Sequence, residues 1–302
     1  MNRYPVFGSI VFFLAMMTLP SGRVHAQLPG YDDIPWVGFF SGYERRNFHF
    51  GVNIEGQSEL YLLDSGKKDR VKKKTIKISA HVLEQDSNGK LTVKQLKKDT
   101  GFVTELKPGL DHEKVSFMAE STGDAKVEVT IKYDRDKIIL DGRIIDPGTL
   151  KGENVYFAFK VSVPDMYEFK SGDYDEKALK KKLRKDKIKF LRADDNKRIS
   201  LKSYEDVDLS SEKMAKGGVT AIEVAMECQE DLDFIFTTEN GIGVIDFENK
   251  KPGEGRPLYK GYTVTWKRLY VKEDEAGDGK KNAAIGSSAS KKELSPLVIE
   301  IK

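Results

Sequence analysis

The 302-residue sequence predicts an all-β chain folded as an antiparallel sandwich, either one large sandwich or two packed together. Three observations carry that reading. After residue 45, apolar residues alternate with polar ones at period two, the habit of sheets with one buried and one solvated face. Asn-Gly pairs fall between such runs, where primed hairpin turns want them. No strand–helix–strand rhythm of a parallel α/β sheet is visible. Composition agrees: 39% hydrophobic residues can build a core, which excludes wholesale disorder, and the one long apolar run lies at the N-terminus.

That run predicts a secretory signal peptide over residues 1–26. Arg3 gives the positive start, Val6 to Leu19 the apolar stretch, and Val24-His25-Ala26 a small-residue cleavage site. The stretch is shorter than the roughly 20 apolar residues of a membrane-spanning helix. A mature chain starting at Gln27, periplasmic or secreted and without a membrane span, is expected. It would keep 49 basic and 48 acidic residues, since only Arg3 and Arg23 are removed from 51 and 48. One cysteine, Cys228, excludes an internal disulfide and reads as a buried thiol in register with Ile222, Val224 and Met226.

The elements follow in order. Seven aromatic residues stand between Tyr31 and Phe50, and Phe48, Phe50, Val52 and Ile54 open the alternation. Ile76, Ile78, Ala80 and Val82 form the next run, which Asn88-Gly89 turns back towards Leu91–Val93. Val127 to Tyr133 and Val155 to Val163 alternate likewise. Asp141-Gly142, inside Ile138–Ile145, predicts either a tight hairpin or a glycine bulge in one long strand. From Tyr174 to Lys185 good helix formers predict a short basic helix, so 27–170 and 187–302 are two strand-rich parts joined by 171–186. Strands at Ile222–Cys228, Phe234–Phe236, Ile242–Val244, Tyr262–Tyr270 and Leu297–Ile301 complete about 14 to 16. Asn240-Gly241 predicts a second hairpin, and Glu273 to Lys292 a loop.

Chemistry is sparse. His49, His81 and His112 lack the spacing of a metal site, and no nucleophile elbow, zinc-protease helix or phosphate-binding glycine loop occurs. No cofactor and no metal are expected. Glu239 and Asp246, flanking the second hairpin, read as exposed charges. Asp86-Ser87-Asn88-Gly89 and Asp206-Val207-Asp208 are oxygen-rich without completing a calcium loop.

Aromatic and charge patterns are the remaining signals. Tyr262, Val264, Trp266, Arg268 and Tyr270 share one strand face, where rings beside a charge would suit the faces and hydroxyls of a sugar. Trp36, Tyr43, Trp266, Arg268 and Tyr270 are therefore the candidate binding residues. Lys67 to Lys77 holds seven basic residues against Asp69 alone, and Lys177 to Arg192 nine against Asp186 alone. Lys72, Lys73, Lys74, Lys180, Lys181, Lys182 and Arg184 are the candidate anion-binding patches. Nucleic acid is not expected, for no recognition motif accompanies them. The expectation is an exported, non-catalytic binding protein, with carbohydrate the leading ligand. A glycan-active enzyme using sheet-face carboxylates and an envelope assembly protein docking on an anionic partner are the alternatives.

Overall fold

In the computed structural model the described residues are 39–302, except 54, 65–69, 72–73, 99–106, 111, 153, 165–176, 178–180, 182, 204–217, 230–231, 239–243, 250–260 and 272–295. The expected signal peptide and Trp36 lie outside them, as do Glu239, the Asn240-Gly241 turn and the Glu273–Lys292 segment.

Seventeen strands are described. They are β1 (Phe39–Glu44), β2 (Phe48–Asn53), β3 (Ser58–Leu62), β4 (Ile76–Gln85), β5 (Leu91–Gln95), β6 (Gly109–Leu110), β7 (Lys114–Glu120), β8 (Lys126–Asp134) and β9 (Lys137–Asp146). After these come β10 (Asn154–Pro164), β11 (Lys187–Arg192), β12 (Arg198–Leu201), β13 (Val219–Ala225), β14 (Asp233–Thr238), β15 (Val244–Asn249), β16 (Gly261–Leu269) and β17 (Leu297–Ile301).

They form two mostly antiparallel sheets that do not close into a barrel, as the alternation predicts. The larger runs β15-β16-β10-β4-β3-β2-β1-β6, with β5 paired to β4; the smaller runs β12-β11-β13-β14-β17-β9-β8-β7. Each sheet draws strands from both sides of residues 171–186. Within that segment Lys177, Lys181 and Leu183 are helical, and Leu183 is buried.

The alternating residues point inwards and merge in one core. Ile76, Ile78, Ala80 and Val82 of β4 and the odd positions Val155 to Val163 of β10 meet Val127, Val129 and Ile131 of β8 and Ile138 and Leu140 of β9. Rings touch across the sheets: Tyr43 stacks on Tyr133 at 4.4 Å, and Phe190 meets Phe247 edge-on at 5.4 Å. Offset and edge-to-face pairs of this kind add to the area they bury.

The first hairpin forms as the Asn-Gly signal predicts. Asp86 Oδ1 accepts the amides of Asn88 and Lys90, and Gly89 takes a positive φ of 79° that a side chain would resist. Asp141-Gly142 is neither hairpin nor bulge. Gly142 pairs regularly with Val129 inside β9, and the register shift falls instead opposite Lys126/Val127, with Ile145 the extra residue.

Cys228 is buried, but it does not continue the strand of Ile222 and Val224. That strand ends at Ala225, and Cys228 sits in a 3-10 turn, Glu227–Gln229. The turn is closed by the Gln229 amide on the Met226 carbonyl (3.0 Å), while the buried Gln229 side chain accepts the Tyr262 hydroxyl and donates to the Leu232 carbonyl. Pairing a polar side chain on both sides is what permits its burial.

Candidate functional site

Most of the residues that the aromatic pattern singles out lie within the sandwich. Trp266 is 1% exposed; it pairs with Phe159 in the ladder and packs edge-on to Phe157 at 6.3 Å. Tyr43 is buried too, its hydroxyl donating to the Arg135 carbonyl and accepting from Arg45. A ring with no open face cannot stack on a sugar, so neither serves as the expected platform. The shared face of Tyr262, Val264 and Trp266 is real, but it is the face turned to the core. Tyr270 packs against that core, and its amide donates to the Val155 carbonyl. Arg268 lies on the same strand face and reaches the facing sheet, donating from Nη1 to Asp141 Oδ1 at 3.0 Å.

The basic segments are described in part. Lys74 Nζ donates to the Cys228 carbonyl at 2.9 Å, so this lysine ties a connection down. Lys181 and Arg184 are exposed. Lys72, Lys73, Lys180 and Lys182 lie outside the described residues.

The three histidines stand apart from one another in separate settings. His49 Nδ1 accepts from Arg70 Nε at 3.1 Å, and the Arg70 guanidinium lies 4.3 Å over the Tyr61 ring. Burial, with Arg70 beside it, holds His49 below the ordinary histidine range. His81 Nε2 is 2.7 Å from Ser79 Oγ, and burial with the Lys160 charge lowers its pKa as well. His112 Nδ1 bonds Ser41 Oγ at 3.1 Å and its ring stacks over Phe40. Among the described residues no three His, Cys, Asp or Glu side chains converge as a metal site would need. Asp246 is paired with Lys267 at 2.7 Å, and Asp86 Oδ1 is engaged by its own turn.

A different surface emerges from the register. On the outer face of the larger sheet, Val93, Leu83, Tyr156 and Leu269 stand in one row across β5, β4, β10 and β16. The next row holds Leu91, Gln85 and Asn154, and Val271 follows Leu269 one alternation further on. Leu91 is 38% exposed, Val93 54%, Leu269 41% and Val271 59%, whereas Leu83, in the middle of the row, is buried. Between the apolar side chains, Gln85 Oε1 accepts from Asn154 Nδ2 (3.0 Å) and the Tyr156 hydroxyl (3.3 Å). The polar groups in the centre are thus satisfied among themselves, leaving exposed apolar side chains at either side of a small amide patch.

The individual strands hide this surface, because each contributes one or two residues. A signal was present nonetheless: Leu83 falls on the polar parity of Ile76–Val82, and Leu269 and Val271 fall on the parity opposite Trp266 and Tyr270. Apolar residues on the solvent side of several strands become a patch once the strands are aligned.

No protein-family model and no curated protein matches the chain.

Proposed function

We propose that the protein is an exported, non-catalytic binding protein that holds its ligand on the outer face of the larger sheet, over Leu91, Val93, Tyr156, Leu269 and Val271. One observation carries this reading. Of the six large apolar side chains exposed among the described residues, Leu91 and Val93 on β5 and Leu269 on β16 lie on this one face, and Val271 follows just beyond β16. Scattered exposed leucines need no explanation, whereas several on one face of one sheet point to a contact surface. The non-catalytic part rests on the sequence, which carries no catalytic motif.

Carbohydrate, the ligand that the aromatic runs suggest, keeps one foothold on this face. Tyr156 offers a half-buried ring with the amides of Gln85 and Asn154 beside it. Two measurements test the reading. The apolar dye anilinonaphthalene sulfonate should fluoresce on the native chain and lose most of that signal in Val93→Glu/Leu269→Glu, with the thermal midpoint unchanged. A glycan array should show binding lost in Tyr156→Ala if sugar is the ligand. A native chain that binds neither dye nor glycan overturns the proposal.

A further inference from the structure

The apolar face ends at an open edge of the sheet. β5 pairs with β4 on one side, and among the described residues no strand pairs with Leu91–Lys94 on the other. The hairpin fixes which backbone groups point that way. The Asp86 amide donates to the Lys90 carbonyl, making Asp86 and Lys90 a hydrogen-bonded pair. Alternation along an antiparallel ladder then directs Thr92 and Lys94 towards β4, and Leu91 and Val93 away from it. Gln95 confirms the direction, because its carbonyl accepts the Thr122 amide on that outer side at 2.9 Å. Two N–H and two C=O groups, on Leu91 and Val93, therefore face outwards beside the two exposed side chains of the same residues.

From this geometry we propose that β5 is a docking strand: an extended segment of another protein chain pairs with its open edge and lays alternate apolar side chains beside Leu91 and Val93. The proposal rests on the binding face described above and names its partner and its mode, addition of a strand to a sheet. Backbone hydrogen bonds would supply affinity, and Leu91 and Val93, two apart on one face of β5, would select apolar residues at every second position. Lys90, exposed where β5 begins, suits a carboxylate at the end of the segment.

A second copy of this chain fits less well. Four partly exposed side chains amount to a few hundred Å², below the roughly 800 Å² per partner of a standard interface. Registers about a twofold axis fare poorly too. Centred on Val93, pairing sets Leu91 of the copy against Gln95, where Thr122 already lies. Centred on Thr92, it sets Lys90 against Lys94, and like charges directly opposed are unfavourable. Shifted further, only the hairpin end overlaps.

The test uses the full chain and synthetic hexapeptides alternating valine with serine and ending in aspartate. Amide hydrogen exchange at Leu91 and Val93, read by NMR, should slow about tenfold or more on saturation with peptide. The same peptide N-methylated on its valines or on its serines should lose the protection in whichever form blocks the paired amides. Val93→Pro removes an N–H that faces the edge and not β4, so it should abolish protection while leaving the chain folded. Unchanged exchange at both amides, or equal binding by all N-methylated forms, overturns strand addition. Dye binding lost in Leu269→Glu but peptide binding indifferent to Val93→Pro keeps the apolar face and removes the docking strand. Protection that appears without peptide and grows with protein concentration assigns the edge to a second copy and also overturns it.

Discussion

The Phe157 ring, on β10 in the larger sheet, stands where a Cβ on Gly142 of the facing sheet would lie, with the nearest ring carbon 2.2 Å from that point. Gly142 has an ordinary strand conformation, so the requirement is space alone. It is a glycine because two sheets meet closely there.

Gly142→Ala should therefore destabilise the chain by about 1–3 kcal/mol, the cost typical of overpacking a dense core. Urea unfolding measures it. Combining it with Phe157→Leu, which makes room, should cost less than the sum of the two single changes. Strict additivity would show that the two positions do not compete for the same space.

This contact also shows what the sequence could and could not convey. Alternation is a property of neighbours along one strand, so Val155–Val163 and Ile138–Leu140 are legible as buried faces. The Asn88-Gly89 turn is legible for the same local reason. Gly142 is ambiguous because its cause lies on another strand, in Phe157. Trp266 misleads in a related way: the charge on Arg268 suggested a solvated face, yet Arg268 stands at the end of that face and reaches Asp141. The apolar surface escaped because its members are spread over four strands and meet only when the register is known.

Trp266 can be tested by its emission. Among two tryptophans, the other being Trp36, a Trp36→Phe background isolates it. Its fluorescence should be blue-shifted and unquenched by iodide, as expected of a ring inside the core. Trp266→Ala should cost about 3–5 kcal/mol. Iodide quenching comparable to that of free tryptophan would place the ring at the surface and reopen a sugar platform.

His49 and His81 predict acid sensitivity. In each, burial, with a neighbouring cation, places the folded pKa below the unfolded value of about 6.5. As pH falls, the unfolded chain takes up protons first, so stability is present above the unfolded pKa and declines as pH drops below it. Geometry gives the same sign. A protonated His49 loses the acceptor that Arg70 Nε uses, and a protonated His81 carries an N–H at Nδ1 for which no partner stands nearby among the described residues. Unfolding by urea between pH 7.5 and 5.5 should show stability decreasing, with a shallower slope in His81→Gln. A flat native profile over that range would refute it.

Arg268 and Asp141 separate a structural role from a binding one. Their pair joins the two sheets at the end of the sandwich, with the carboxylate side chain 45% exposed. Solvent screening at that exposure limits its worth, and Asp141→Asn should cost about 0–1 kcal/mol. Arg268→Ala should cost more, since its stem continues the inward face of β16 and is lost with the charge. Coupling in the double-mutant cycle should stay below about 1 kcal/mol. Should Arg268 instead act as a ligand contact, its replacement would leave unfolding unchanged and weaken binding of whichever glycan or peptide the chain takes. Unfolding curves and binding on the same four variants decide between the two.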